Sequence, residues 1–76
     1  MAKILIAENE LALREFVARG LEQRRHKVTM AQDGSEALEH LKKTKYDLLL
    51  TDIDMPIMDG IALALTAGRD YPKMKI

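Results

Sequence analysis

Apolar residues along this chain come in two alternating rhythms. Lys3-Ile4-Leu5-Ile6-Ala7 is a continuous apolar run that stops at Glu8-Asn9-Glu10. Such a run predicts a strand buried on both faces, the kind found in parallel sheets. Leu13, Phe16, Val17, Gly20 and Leu21 then follow the i, i+3, i+4, i+7, i+8 spacing of an amphipathic helix. Arg14, Glu15, Arg19 and Glu22 fall off that stripe, towards water, with Glu15 and Arg19 as an i,i+4 pair. Val28 to Ala31 predicts a second strand. Asp33-Gly34-Ser35 reads as a turn with Ser35 as the cap of a second helix, in which Ala37, Leu38 and Leu41 are buried. Glu36 and Glu39 suit that helix's start, and Lys42, Lys43 and Lys45 its end.

Tyr46 to Asp52 contains a third strand, again apolar on both faces, and Met55-Pro56 breaks regular structure. Asp59-Gly60 opens a third helix over Ile61 to Ala67, ended by Gly68. Met74-Lys75-Ile76 begins a fourth strand. The order is βαβαβα plus a strand start, which means a parallel sheet with helical crossovers. No repeat, linker or low-complexity segment interrupts it.

Composition narrows the function. The 76 residues hold one small domain, with about 60% of the unfolded surface buried on folding. There is no Cys, so disulfide and thiol chemistry is absent. Twelve basic residues balance 12 acidic ones, so no electrostatic footprint marks a nucleic acid or a membrane surface. Arg24-Arg25-His26-Lys27 is read as a solvated loop, because it is shorter than the basic runs that bind nucleic acid. No apolar stretch nears the roughly 20 residues of a membrane span, and no signal-peptide pattern opens the chain. The expectation is a cytoplasmic protein. The methionines lack His or Cys company and read as packing, and neither His26 nor His40 reads as catalytic.

The chemistry lies in the acids. Glu8, Asn9 and Glu10 follow strand one, and Asp52 and Asp54 follow strand three. Open parallel sheets bind ligands beyond the carboxyl ends of their strands, and in the order 2-1-3-4-5 strands one and three are neighbours. Clustered carboxylates need a cation, and oxygen-only donors suit a hard one such as Mg2+. A carboxylate beside such a cation is equipped to attack a phosphoryl group. Acids facing water from loops are the plain alternative.

Leu48-Leu49-Leu50-Thr51-Asp52-Ile53-Asp54-Met55-Pro56-Ile57-Met58-Asp59-Gly60 resembles the phosphoacceptor segment of response-regulator receiver domains. Ile4 to Glu10 with Arg14 resembles that family's first strand and acidic pair, and Asp33-Gly34 with Ala37-Leu38 its second-helix entry. The resemblance covers residues 1–76 as a partial receiver domain. It implies a flavodoxin-like, doubly wound parallel sheet, truncated after the third helix. Asp52 becomes the phosphoacceptor. Glu8, Asn9 and Asp52, with the backbone carbonyl of Asp54, become the Mg2+ donors. Asn9 departs from the family, which usually places a carboxylate there, so Mg2+ binding should be weaker.

The resemblance further implies a signalling module rather than an enzyme, fed by a histidine kinase or histidine phosphotransferase. Leu11, Arg14, Glu15 and Ala18 are the candidate kinase contacts on the first helix. The start of the chain, Arg14-Glu15-Phe16 and Leu49 to Ile53 resemble stand-alone receivers that act as proteolysis adaptors. Family members run on past the point where this chain stops, so a homodimer or domain-swapped oligomer is expected to complete the fold. Two alternatives stand: an inert receiver fragment, and a haloacid-dehalogenase-type phosphatase built on Asp52-Ile53-Asp54. Against the latter, two strand–helix units precede the motif and Met55-Pro56 follows it.

Overall fold

The computed structural model describes residues 1–52 and 58–76. The elements are β1 (Lys3–Ala7), α1 (Leu11–Gln23), β2 (Lys27–Ala31), α2 (Gly34–Lys43), β3 (Leu48–Thr51) and α3 (Gly60–Asp70). The three strands form one parallel sheet in the order β2-β1-β3. Among the described residues, the expected fourth strand is represented by a parallel bridge from Lys75 to Leu48.

β1 is central, and its four apolar residues are all buried. Side chains alternate across a strand. Leu5 and Ala7 therefore join Leu49, Ala31, Ala37, Leu41, Leu63 and Ala67 in the core beneath α2 and α3. Ile4 and Ile6 face the other way and pack with Ala18 of α1, flanked by Val17, Leu21, Val28, Leu48 and Leu50. Leu5, Leu49 and Leu63 are completely enclosed, and each contributes about 2 kcal/mol of burial.

Three local expectations are corrected. α1 does not seat on the sheet through Leu13, Phe16 and Gly20, which are exposed; Phe16 is 75% accessible. Its inner line is Arg14, Val17, Ala18 and Leu21, because the small Ala18 lets the helix approach Ile4 and Ile6 closely. The cap of α2 is Asp33 and not Ser35: the Asp33 side chain accepts from the Glu36 backbone N–H at 2.8 Å. Asp59 caps α3 in the same way, accepting from Ala62 at 2.8 Å. Finally, α3 does not stop at Gly68. No glycine has the positive φ of a left-handed cap among the described residues, and the helix continues to Asp70 before Pro72.

Candidate functional site

β1 and β3 run parallel with Ala7 opposite Thr51, the last matched pair. Glu8 and Asp52 therefore leave the sheet side by side, from strands about 4.8 Å apart. The backbone ties hold both ends in place. The Asp52 N–H donates to the Ala7 carbonyl at 2.9 Å, and the Glu8 N–H donates to the Ala31 carbonyl of β2 at 3.0 Å. Thr51 donates its hydroxyl to the Asp52 carbonyl at 2.9 Å.

Glu8 and Asp52 are half-buried, and Asn9 is exposed. An open groove of about 310 Å³ lies between them and α1. Its acid wall is Glu8 and Asp52, its apolar side Ile6, Leu50, Leu13 and Val17, and Arg14 completes it. The Arg14 Nη1 donates to the Glu8 carbonyl at 2.8 Å, and Glu8 Oε2 accepts from the Glu10 N–H at 3.0 Å. The loop after β1 is thus held from both sides, with the second Glu8 oxygen uncommitted among the described residues.

Of the four expected metal donors, Glu8 and Asp52 line one groove, whereas Asn9 is exposed and is not among its lining residues. Asp54 lies outside the described residues, as does Met55-Pro56. No group of three or more His, Cys, Asp or Glu converges among the described residues. The side chains expected as donors, Glu8, Asn9 and Asp52, offer only oxygen, a chemistry that suits Mg2+.

Ala18 is withdrawn as a partner contact, because it is buried against the sheet. Arg14 is half-buried and engaged with Glu8, whereas Leu11 is exposed. A larger groove of about 520 Å³ lies nearby between the N-terminal ends of α1 and α2, lined by Leu11, Arg14, Glu15, Met30, Gln32 and Glu36. Its acids, Glu15 and Glu36, lie within α1 and α2 and not at strand ends. The sequence reading missed the bond from Arg14 to the Glu8 carbonyl. The signal was available: a guanidinium one turn into a helix lies within reach of the loop that opens it.

Comparison with known proteins agrees with this arrangement. Residues 4–76 match the response regulator receiver domain. The response regulator receiver protein CpdR of Brucella abortus is 43% identical over the whole chain, which spans 63% of that protein. The CAI-1 autoinducer sensor kinase/phosphatase CqsS of Vibrio cholerae is 41% identical over 59 residues, 78% of this chain and 9% of the kinase. Among solved structures, the response regulator TrrA of Thermotoga maritima in complex with Mg2+ and BeF superposes with a TM-score of 0.95 at 30% identity. It is matched over 100% of this chain and 66% of its own. The parallel sheet, the acids at its β1 and β3 ends and these matches agree: the chain belongs to the response regulator receiver domain family.

Proposed function

We propose that this chain accepts a phosphoryl group on the Asp52 carboxylate from a phosphohistidine of a histidine kinase or histidine phosphotransferase, and changes conformation in response. An Asp52 oxygen attacks phosphorus, the P–N bond breaks, and its electron pair stays on the departing imidazole nitrogen. The product is an aspartyl phosphate. The observation that carries this reading is the placement of Asp52 beside Glu8 at neighbouring strand ends, fixed by the Asp52–Ala7 backbone bond.

Glu8, Asn9 and Asp52 would hold Mg2+, with the Asp54 carbonyl as a further donor. When bound, the ion neutralises charge on the transferring group. The bonds from Arg14 to the Glu8 carbonyl and from the Asp52 N–H to the Ala7 carbonyl support a site whose backbone is set before a donor arrives. The site of action is the cytoplasm, where such kinases present their phosphohistidine. Likeness over the whole chain to a receiver protein supports the stand-alone form acting as an adaptor.

Self-association is part of the same reading. Leu13 and Phe16 expose an apolar face on α1. Beyond Leu48, β3 has no outer strand among the described residues. A second copy, paired as a homodimer or with swapped elements, covers both. A clean monomer at high concentration in light scattering would overturn this.

Intact mass after treatment with acetyl phosphate and Mg2+ tests the acceptor. One phosphoryl adduct, absent in Asp52→Ala, is expected. No adduct would mark the 76 residues as inert.

A further inference from the structure

The turn from α1 into β2 holds the one non-glycine residue with a positive φ among the described residues, Arg25 at 67°. That left-handed position usually falls to glycine, because a Cβ is crowded there. Two backbone bonds hold it: the Arg25 N–H donates to the Glu22 carbonyl at 2.9 Å, and the His26 N–H to the Leu21 carbonyl at 3.2 Å. The turn so fixed carries the His26 side chain to the start of β1. There His26 Nδ1 accepts from the Ala2 N–H at 3.0 Å, across 24 positions of sequence. The next residue completes the clasp, since the Lys27 N–H donates to the Ala2 carbonyl at 2.9 Å. Both backbone polar groups of Ala2 are therefore held by two consecutive residues.

The acceptor in this clasp is a ring nitrogen, and that makes it conditional. A neutral imidazole carries one proton, and the nitrogen that accepts must be the bare one. The His26 proton therefore sits on Nε2, which makes no hydrogen bond among the described residues. A second proton goes to Nδ1 and turns it into a donor facing the Ala2 N–H. Histidine is the side chain whose charge ordinarily changes between about pH 5 and 8. The titratable groups around the ring are Glu22 of α1, Lys3 of β1, Lys27 of β2 and Tyr46 before β3, which line a groove of about 500 Å³ with it. The Met1 ammonium stands one residue before Ala2.

The neighbouring tie is built differently. The Lys3 N–H donates to Asp47 Oδ2 at 2.7 Å. A carboxylate gains its proton only in more acid solution than an imidazole does. The two successive amides thus answer to different pH ranges.

We propose that His26 is a pH-sensitive latch on the start of the central strand: with Nδ1 bare it pins Ala2 to β2, and a second proton on the ring releases it. The latch lies at the opposite end of β1 from Glu8, so it stands apart from the phosphoacceptor reading.

The test is nuclear magnetic resonance on the isotope-labelled chain, with pH stepped from about 8 to about 5. Ring nitrogen shifts give the His26 tautomer and its titration. Hydrogen exchange, corrected for the intrinsic rate at each pH, gives the protection of the Ala2 and Lys3 amides. A bare Nδ1 is expected at the upper end. Ala2 protection is expected to fall about fivefold as the ring takes its second proton, the worth of an ordinary hydrogen bond, while that of Lys3 changes by less than about twofold. His26→Phe should lack that Ala2 protection at every pH. A proton on Nδ1 at the upper end overturns the inference, as does Ala2 protection that ignores the His26 titration or persists in His26→Phe. Equal losses at Ala2 and Lys3 also overturn it, because they would report fraying of the whole strand end. Should His26→Phe not fold, the wild-type tautomer and exchange data decide alone.

Discussion

Substituting Asp33 and Ser35 separately tests the assignment of the α2 cap. Asp33 is 7% exposed and its Oδ1 accepts from the Glu36 N–H at 2.8 Å. Asp33→Ala removes that acceptor, at about 1 kcal/mol. It also removes a negative charge from the positive end of the helix, at roughly 0.3–1 kcal/mol more. For a domain of this size, each kcal/mol moves Tm by about 4–8 °C, so a drop of about 5–15 °C is expected. Ser35 is exposed and makes no side-chain hydrogen bond among the described residues. Alanine is the better helix former, so Ser35→Ala should leave Tm unchanged or raise it slightly, by up to about 0.5 kcal/mol. Asp33→Asn keeps an oxygen acceptor and should lose only the charge contribution. Thermal unfolding followed by far-ultraviolet circular dichroism orders the three. Equal losses for Asp33→Ala and Ser35→Ala, or none for Asp33→Ala, would refute the cap assignment.

Leu49→Ala empties a fully enclosed site and should cost about 2–5 kcal/mol, a large share of any small domain's stability, read as a fall in the urea midpoint. Phe16→Ser should change stability by less than about 0.5 kcal/mol, because the ring is already 75% exposed, while reducing self-association in light scattering. Asn9→Asp should tighten Mg2+ binding about tenfold in calorimetry, from roughly 1–2 kcal/mol of added attraction; unchanged affinity would remove Asn9 from the donor set. Asp70 should titrate below its ordinary value because Arg69 donates to it at 2.9 Å, and Arg69→Ala should raise its midpoint in nuclear magnetic resonance titration. Any stabilisation by that depressed carboxyl exists above its unfolded pKa and is lost as pH falls through the folded one. The pair is exposed, so unfolding experiments should not detect it.

The strand–helix alternation was legible because its signals are local. Each strand is a short apolar run bounded by polar residues, and each helix has a periodic face. The buried line of α1 departs from its apolar stripe because periodicity reports which residues are apolar, and packing also depends on which are small. Leu13 and Phe16 are the larger apolar residues, yet Ala18 makes the close approach to Ile4 and Ile6. Likewise Asp33-Gly34 and Asp59-Gly60 carry the same two-residue signature, and both prove to be a cap followed by the first helical residue. The Asp-Gly signature therefore marks a capped helix start in both places.

The candidate site shows the same division between local and distant information. Glu8 and Asp52 announce themselves as acids ending apolar strands, and the parallel order of the sheet makes them neighbours. What sequence spacing cannot supply is the second set of contacts, between segments that approach only after the sheet has formed. Gly34 and Met58 are 24 positions apart and neither is chemically reactive, yet a Cβ on Gly34 would lie 2.7 Å from the Met58 carbonyl oxygen. Their approach depends on α2 and α3 sharing Leu5, Ala37, Leu41, Leu63 and Ala67 beneath them. A glycine needed for space leaves no sign in its own neighbourhood, because the residue that requires it lies elsewhere in the chain. The acids of the candidate site are therefore readable one strand at a time, whereas the approach of Gly34 to Met58 emerges only from the packed pair of helices.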